Sequence, residues 1–333
     1  MSHAFLVDLW YTLTAALLFL HLGLGGIDLG VCVLSLFLAE EEAERVLTSI
    51  DGIWHANQTW LVVLGAVLFG AFPGVYADVL PRVYGLVIFL LAALGVRGLG
   101  IEYRHESTDK KRWQRLAGWG AVAVLLAEGL ILARLLAPIL NRTADLSLLH
   151  IVQTSLLPIL FFLSSCVLLT CGAWLQRSMS VFGAPSLRLQ SMAVWSVLAG
   201  AAGTLLLAAV LCRKLTASVP SPQYILLPLA VSGGVVLTVL LASIRKSWKG
   251  SSLPWALILV GISLAACAVC LYPSAQTRNM MMSLAASSDA LSFLIGAAAL
   301  LLPPLLVFQI FQYRLQHQRT DPAATFLNSA GRG

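Results

Sequence analysis

Trp54-His55-Ala56-Asn57-Gln58-Thr59-Trp60-Leu61 opens an apolar segment that runs on to Phe72. Polar side chains are normally shed where a helix enters lipid, because an unsatisfied donor or acceptor in hydrocarbon costs several kcal/mol. His55, Asn57, Gln58 and Thr59 therefore need partners. A second exception lies one apolar segment earlier: Asp28, inside Leu22-Gly23-Leu24-Gly25-Gly26-Ile27-Asp28-Leu29-Gly30. Together they point to a polar seam between two packed membrane helices.

The rest of the chain supports a membrane reading. Of 333 residues, 59% are hydrophobic and 11% charged, and the mean hydropathy is +0.88. Soluble domains carry roughly 25% charged residues. The fold class is all-α, a polytopic membrane protein. Long continuous apolar runs exclude a β-barrel. The net charge of +6 is no nucleic-acid signal, since the Lys and Arg sit in short loops between apolar runs. Cys32, Cys166, Cys171, Cys212, Cys267 and Cys270 lie in or beside those runs and read as small packing residues. Met1 to Asp8 lacks a basic n-region, so no cleavable signal peptide is expected.

A span needs ~20 apolar residues. Nine candidates fit, at about 9–38, 54–72, 79–101, 113–140, 151–174, 187–211, 224–244, 253–271 and 290–313. They form a single membrane domain over 1–319, with a short polar tail at 320–333. Eight spans divide into two four-helix bundles, with the ninth additional. Basic residues favour one side: Arg104, Lys110, Lys111, Arg112 and Arg115, then Arg177 and Arg188, then Arg245, Lys246 and Lys249, then Arg314 and Arg319. The opposite loops hold only Arg142, then Arg213 and Lys214, then Arg278. The positive-inside rule then places the N-terminus outside and the C-terminus in the cytoplasm.

Asp28 is the first candidate for chemistry. A carboxylate at that depth faces a bundle interior, a partner or a water-filled cavity. His21, Gly25 and Asp28 recur at helical spacing and share a face. Asp28 either relays protons or is an acid satisfied by a neighbouring helix. His55, Asn57 and Gln58 form a second cluster by the cytoplasmic face, where a histidine can take up and release a proton. The alternative is interfacial, with Trp54 and Trp60 as belt anchors. Arg97, Glu102 and Arg104 form a cytoplasmic charge cluster: Arg104 reads as a snorkelling anchor, and Arg97 lies deeper. Glu128 and Arg134 do not share a helical face and are not expected to pair. Asp289 reads as a helix N-cap. Cys267 and Cys270 lack a second pair, so no metal site is expected. His21 and His55 lie at different depths, which argues against a haem held between them.

The sequence resembles subunit II of the cytochrome bd-type quinol oxidases. The likeness is carried by Gly26-Ile27-Asp28-Leu29-Gly30, by Trp54 through Leu61, and by Phe72-Pro73 with Tyr76. It continues in Arg97 through Glu102-Tyr103-Arg104, Tyr272-Pro273, Ala286-Ser287-Ser288 and Pro303-Pro304 running into Gln312-Tyr313. Nine spans is that family's count. The resemblance implies a heterodimer in a bacterial cytoplasmic (inner) membrane. Subunit I would carry haems b558, b595 and d and oxidise quinol, and the complex would reduce dioxygen to water with cytoplasmic protons. This chain would hold no catalytic residue and no haem ligand. It would support subunit I, border a proton route, and in some relatives bind a structural quinone or join small single-helix subunits. Carried over, Asp28, His55, Asn57 and Gln58 fall on the proton route, and Trp60 on an oxygen path or in packing.

Two departures stand out. His55-Ala56 replaces the family's usual Asp-Gly, and Gly25 stands where many members carry an acid. Either His55 substitutes as proton acceptor or protons enter through the partner. Outside this family, the runner-up is a secondary transporter, which also uses midplane charges and glycine-interrupted helices. A purely structural scaffold is the third reading.

Overall fold

The computed structural model describes residues 1–140, 155–179, 185–215, 233–234, 237, 252–271 and 275–320. Ten helices account for nearly all of them: α1 His3–Ser35, α2 Glu40–Thr48, α3 Trp54–Ala71, α4 Pro73–Glu102, α5 Lys110–Leu140, α6 Leu157–Ser178, α7 Leu187–Leu215, α8 Ser252–Leu271, α9 Ala275–Leu284 and α10 Ser288–Thr320. Among the described residues there is no strand.

Local sequence explains the boundaries. Ser2 caps α1 by accepting from the Phe5 amide at 3.3 Å. The chain turns between α3 and α4 at Phe72, held at φ −127° and ψ 58° by the following Pro73. The short α2 carries Glu40, Glu41 and Glu42 in its first turn and Arg45 in its last, which suits the helix dipole. It buries Ala43, Val46 and Leu47. Neither α2 nor α9 was expected, because both are too short and polar to read as spans. Asp289 is not the cap of α10: the Ser287 hydroxyl accepts from the Ala290 amide at 3.3 Å, leaving Asp289 in the first turn. Pro81 and the Pro303-Pro304 pair lie within continuous helices.

Seven described helices are long and apolar enough to cross a membrane: α1, α4, α5, α6, α7, α8 and α10. The expected span at 54–72 is present as α3, but it is not one of the seven. It has only 18 residues, and its first turns carry the polar cluster. The expected span at 9–38 is α1, which starts earlier and ends at Ser35, and the one at 290–313 is part of a longer helix; each helix has 33 residues. The span at 224–244, except for 233–234 and 237, lies outside the described residues. So do Arg142, Arg245, Lys246, Lys249, Tyr272-Pro273 and the tail from 321, and with the missing span goes the expected grouping into two bundles.

The core is organised on α1, which packs against α3, α5, α6 and α8, while α4 with α5 and α6 with α7 form close antiparallel pairs. Small residues permit this. A Cβ on Gly30 of α1 would overlap Cys171 of α6, and one on Gly26 would come within 2.8 Å of the Thr170 hydroxyl. In its most apolar stretch α1 is 72% buried, against 17% for α4 and 6% for α10. These outer helices present Ile88, Leu91, Leu300 and Val307 to lipid or to another chain. A second apolar cluster of Leu6, Val7, Trp10, Phe72 and Leu291 ties the start of α1 to the α3–α4 corner and to α10. There the Trp10 indole donates to the Leu291 carbonyl at 3.2 Å.

Candidate functional site

The polar seam joins three helices. Asp28 on α1 is fully buried. The Asn57 amide on α3 donates to both its carboxyl oxygens, at 2.9 and 3.0 Å, and to the Leu24 carbonyl at 3.1 Å. The Asn57 carbonyl oxygen accepts from Gln309 at 2.6 Å and from the Tyr313 hydroxyl at 3.1 Å, both on α10. Gln309 in turn accepts from the Trp60 indole at 3.1 Å. Asn57 and Trp60 stand one turn apart on α3, as Gln309 and Tyr313 do on α10, so each helix contributes one face. Asp28 and Asn57 thus come together across two helices, and Trp60, read from the sequence as a belt anchor or an oxygen-path residue, joins them through Gln309. Gln309 and Tyr313 were missed as partners, although a polar pair four residues apart in an apolar run is a legible signal. Gln58 is half-buried and makes no hydrogen bond among the described residues. In this network Asp28 is the one carboxyl, and the Asn57 amide orients it.

A second group leads from Asp28 towards the surface. Arg97 on α4 is wholly buried, and no nitrogen of its guanidinium has a hydrogen-bond partner among the described residues. It lies over the Trp54 ring at 5.7 Å. Arg97 also acts electrostatically on Asp28. Trp54 stacks on His55 with ring centroids 3.5 Å apart. His55 is outermost, its side chain 69% exposed and 3.2 Å from Glu102. Trp54 and Trp60 are 8% and 1% exposed, so neither is a belt anchor.

Arg104 corrects the snorkelling reading. It is fully buried, donates to the Ile101 carbonyl and to Asp51, and lies 3.5 Å from Glu44. His105 approaches Asp51 at 3.0 Å, and Gln114 donates to Glu44 at 3.1 Å. Burial pushes the Asp51 carboxyl above its ordinary range, with Arg104 opposing. This cluster fastens α2 and the turn before α3 to the end of α4 and to α5. Among the charge-cluster residues, Glu102 meets His55 and Arg97 meets Trp54, so the three do not form one site.

Glu128 and Arg134 do not pair, as expected. Arg134 donates to the Arg82 carbonyl at 3.0 Å. Glu128 meets His21 at 2.9 Å, both nearly buried. None of the six cysteines is in a disulfide, and five are buried. No group of three His, Cys, Asp or Glu side chains that could hold a metal ion is found among the described residues.

Comparison with known proteins adds what geometry alone lacks. The sequence pattern of the family described as cytochrome bd terminal oxidase subunit II matches residues 6–316. The chain is similar to cytochrome bd-I ubiquinol oxidase subunit 2 of Escherichia coli (strain K12), 36% identical over 114 residues, which is 34% of this chain and 30% of that protein. It is 36% identical over 118 residues to cytochrome bd ubiquinol oxidase subunit 2 of Bacillus subtilis (strain 168), 35% of each chain. A probable cytochrome oxidase subunit 2 of Haemophilus influenzae is 35% identical over 124 residues, 37% of this chain and 32% of that one. The chain thus spans about a third of the length of the curated relatives it matches.

Proposed function

The chain belongs to the cytochrome bd terminal oxidase subunit II family, and from that premise we propose that it is the haem-free subunit of an oxidase that oxidises quinol and reduces dioxygen to water. Its partner is a haem-bearing subunit I carrying haems b558, b595 and d. The pair sits in a bacterial cytoplasmic membrane with the C-terminus inside. The chain alone is inactive. It supports subunit I and contributes a cytoplasmic proton route.

One observation carries the route: a buried carboxyl, Asp28, gripped by Asn57 on the motifs that mark the family. His55, exposed beside Glu102, takes up a proton, and the Glu102 carboxylate orients its ring. Trp54 and Arg97 separate that port from Asp28 and exclude bulk water. Asp28 receives the proton, and Asn57, fixed by Gln309 and Tyr313, keeps both its oxygens aligned.

His21 and His55 do not fit a haem. His21 is turned onto Glu128, and His55 lies at the surface against Trp54 and Glu102. No step therefore runs through a haem held here. A structural quinone fits better. A cleft of about 740 Å³ has Leu24, Leu257 and Ile310 as apolar lining and Gln309, Tyr313 and Arg314 as polar groups. Those polar groups would hold the head group when it is bound. Family membership sets the transporter reading aside.

The test is a reduced-minus-oxidised spectrum of the complex drawn from membranes by a tag on this chain, beside this chain expressed alone. Haem bands of b and d type in the complex and none in the lone chain are expected. A haem-free complex overturns the oxidase reading, and haem in the lone chain overturns the assignment of all haems to the partner.

A further inference from the structure

The His21–Glu128 pair lies outside the seam just described. His21 stands near the middle of α1, and Glu128 near the middle of α5. The imidazole Nε2 is 2.9 Å from Glu128 Oε1, with side chains 5% and 8% exposed. A titratable pair at that depth is expensive to keep and usually serves a function. The other ring nitrogen, Nδ1, is buried with no partner among the described residues. An ionised Glu128 accepts from Nε2 and so selects the tautomer in which Nδ1 is free to accept a proton.

That free nitrogen lies on the side of α1 where Gly25 stands. Gly25, one turn on, lies beneath the ring, and a Cβ there would meet only His21, at 3.7 Å from Nδ1. Asp28 follows on the same face. Seven residues separate His21 from Asp28, or ~10 Å along the axis.

The surroundings hold few rivals for the proton. From α6 the nearest titratable groups are the thiols of Cys166 and Cys171, and Thr170 returns its hydroxyl to its own helix at the Cys166 carbonyl. Asn57 of α3 donates to Asp28, Tyr313 of α10 donates to Asn57, and Arg97 of α4 lies over Trp54, so none of them meets the pair. From α8, Leu257 packs over Gly23.

We propose that His21 and Glu128 form a proton-holding site one step beyond Asp28, reached by water entering along the α1 face that His21, Gly25 and Asp28 share. This rests on the proton-route reading of Asp28. The step balances without redox change. The O–H bond of protonated Asp28 breaks and, through the water, an N–H bond forms at His21 Nδ1. The Nε2–H bond then breaks and an O–H bond forms on Glu128. Asp28 ends ionised, His21 neutral in the other tautomer and Glu128 neutral, so the middle of the membrane holds a proton with no net gain of charge.

The experiment uses the intact oxidase complex and measures proton uptake on oxidation of the reduced enzyme, in H₂O and D₂O, together with haem content. His21→Gln and Glu128→Gln should each slow uptake about tenfold, with a larger solvent isotope effect and unchanged haem content. The double variant should be no slower than either single one, because the pair acts as a unit. If both run at wild-type speed while Asp28→Asn is slow, this inference falls and the Asp28 route stands. If all three run at wild-type speed, the route falls with it. Should Glu128→Gln fail to assemble, Glu128→Asp keeps the acid on a shorter arm. A slowed uptake with a displaced pH profile then supports the site, and a wild-type profile overturns it.

Discussion

Arg97 and Arg104 lie two helical turns apart at the end of α4, and both are wholly buried. Their surroundings differ completely. Arg104 meets a carbonyl and two carboxylates, and those carboxylates reach water and further partners in His105 and Gln114. Arg97 has the face of Trp54 and the field of Asp28, and no hydrogen-bond acceptor among the described residues. A buried guanidinium paired with carboxylates is a rivet, because removing it strands the acids around it. One held only by a ring and a distant charge is a poor rivet and a strong electrostatic neighbour. The comparison separates what holds this fold together from what we propose it uses.

The largest expected effect is on the rivet. Arg104→Ala leaves Asp51 and Glu44 without their shared cation and should cost about 3 kcal/mol, read as a lower thermal midpoint and yield of the complex. Turnover per assembled complex should not change; a fall there would erase the distinction between the two arginines. Next comes Asp28→Asn, which keeps the shape and a hydrogen bond to Asn57 but removes the acid. Turnover should fall about tenfold or more with stability nearly intact. Arg97→Met removes the charge and keeps the volume. Because apolar replacement of a poorly paired buried charge is often neutral, the thermal midpoint should hold while turnover falls a few-fold. A collapse in stability would make Arg97 a second rivet. The smallest effect belongs to His55→Ala. The His55–Glu102 pair is exposed and contributes little to stability, so the midpoint should not move, and proton uptake should fall about twofold. Wild-type uptake would remove His55 from the route.

Much of the fold was legible because apolar length is a one-dimensional signal. Seven expected spans stand as helices that could cross a membrane, and α3 stands as a shorter one. The two unexpected helices were hidden for the same reason: α2 and α9 have 9 and 10 residues and polar composition. Asp28 and Asn57 were legible as members of a seam because polar groups in apolar runs need partners.

The partners themselves were not legible. Gln309 and Tyr313 lie more than 250 positions from Asn57, and only the docking of α10 on α3 brings them together. Arg104 looked like an anchor because sequence shows its nearness to the helix end but not that α2 folds back to cover it. Glu128 had no visible mate until α5 packed beside His21 on α1. Composition and period are written along the chain, so membrane class, most helices and the oddity of each buried charge follow from the residues alone. Which charge meets which is settled by helix packing, where close approach at residues such as Gly26 and Gly30 sets the register between faces that no single segment contains.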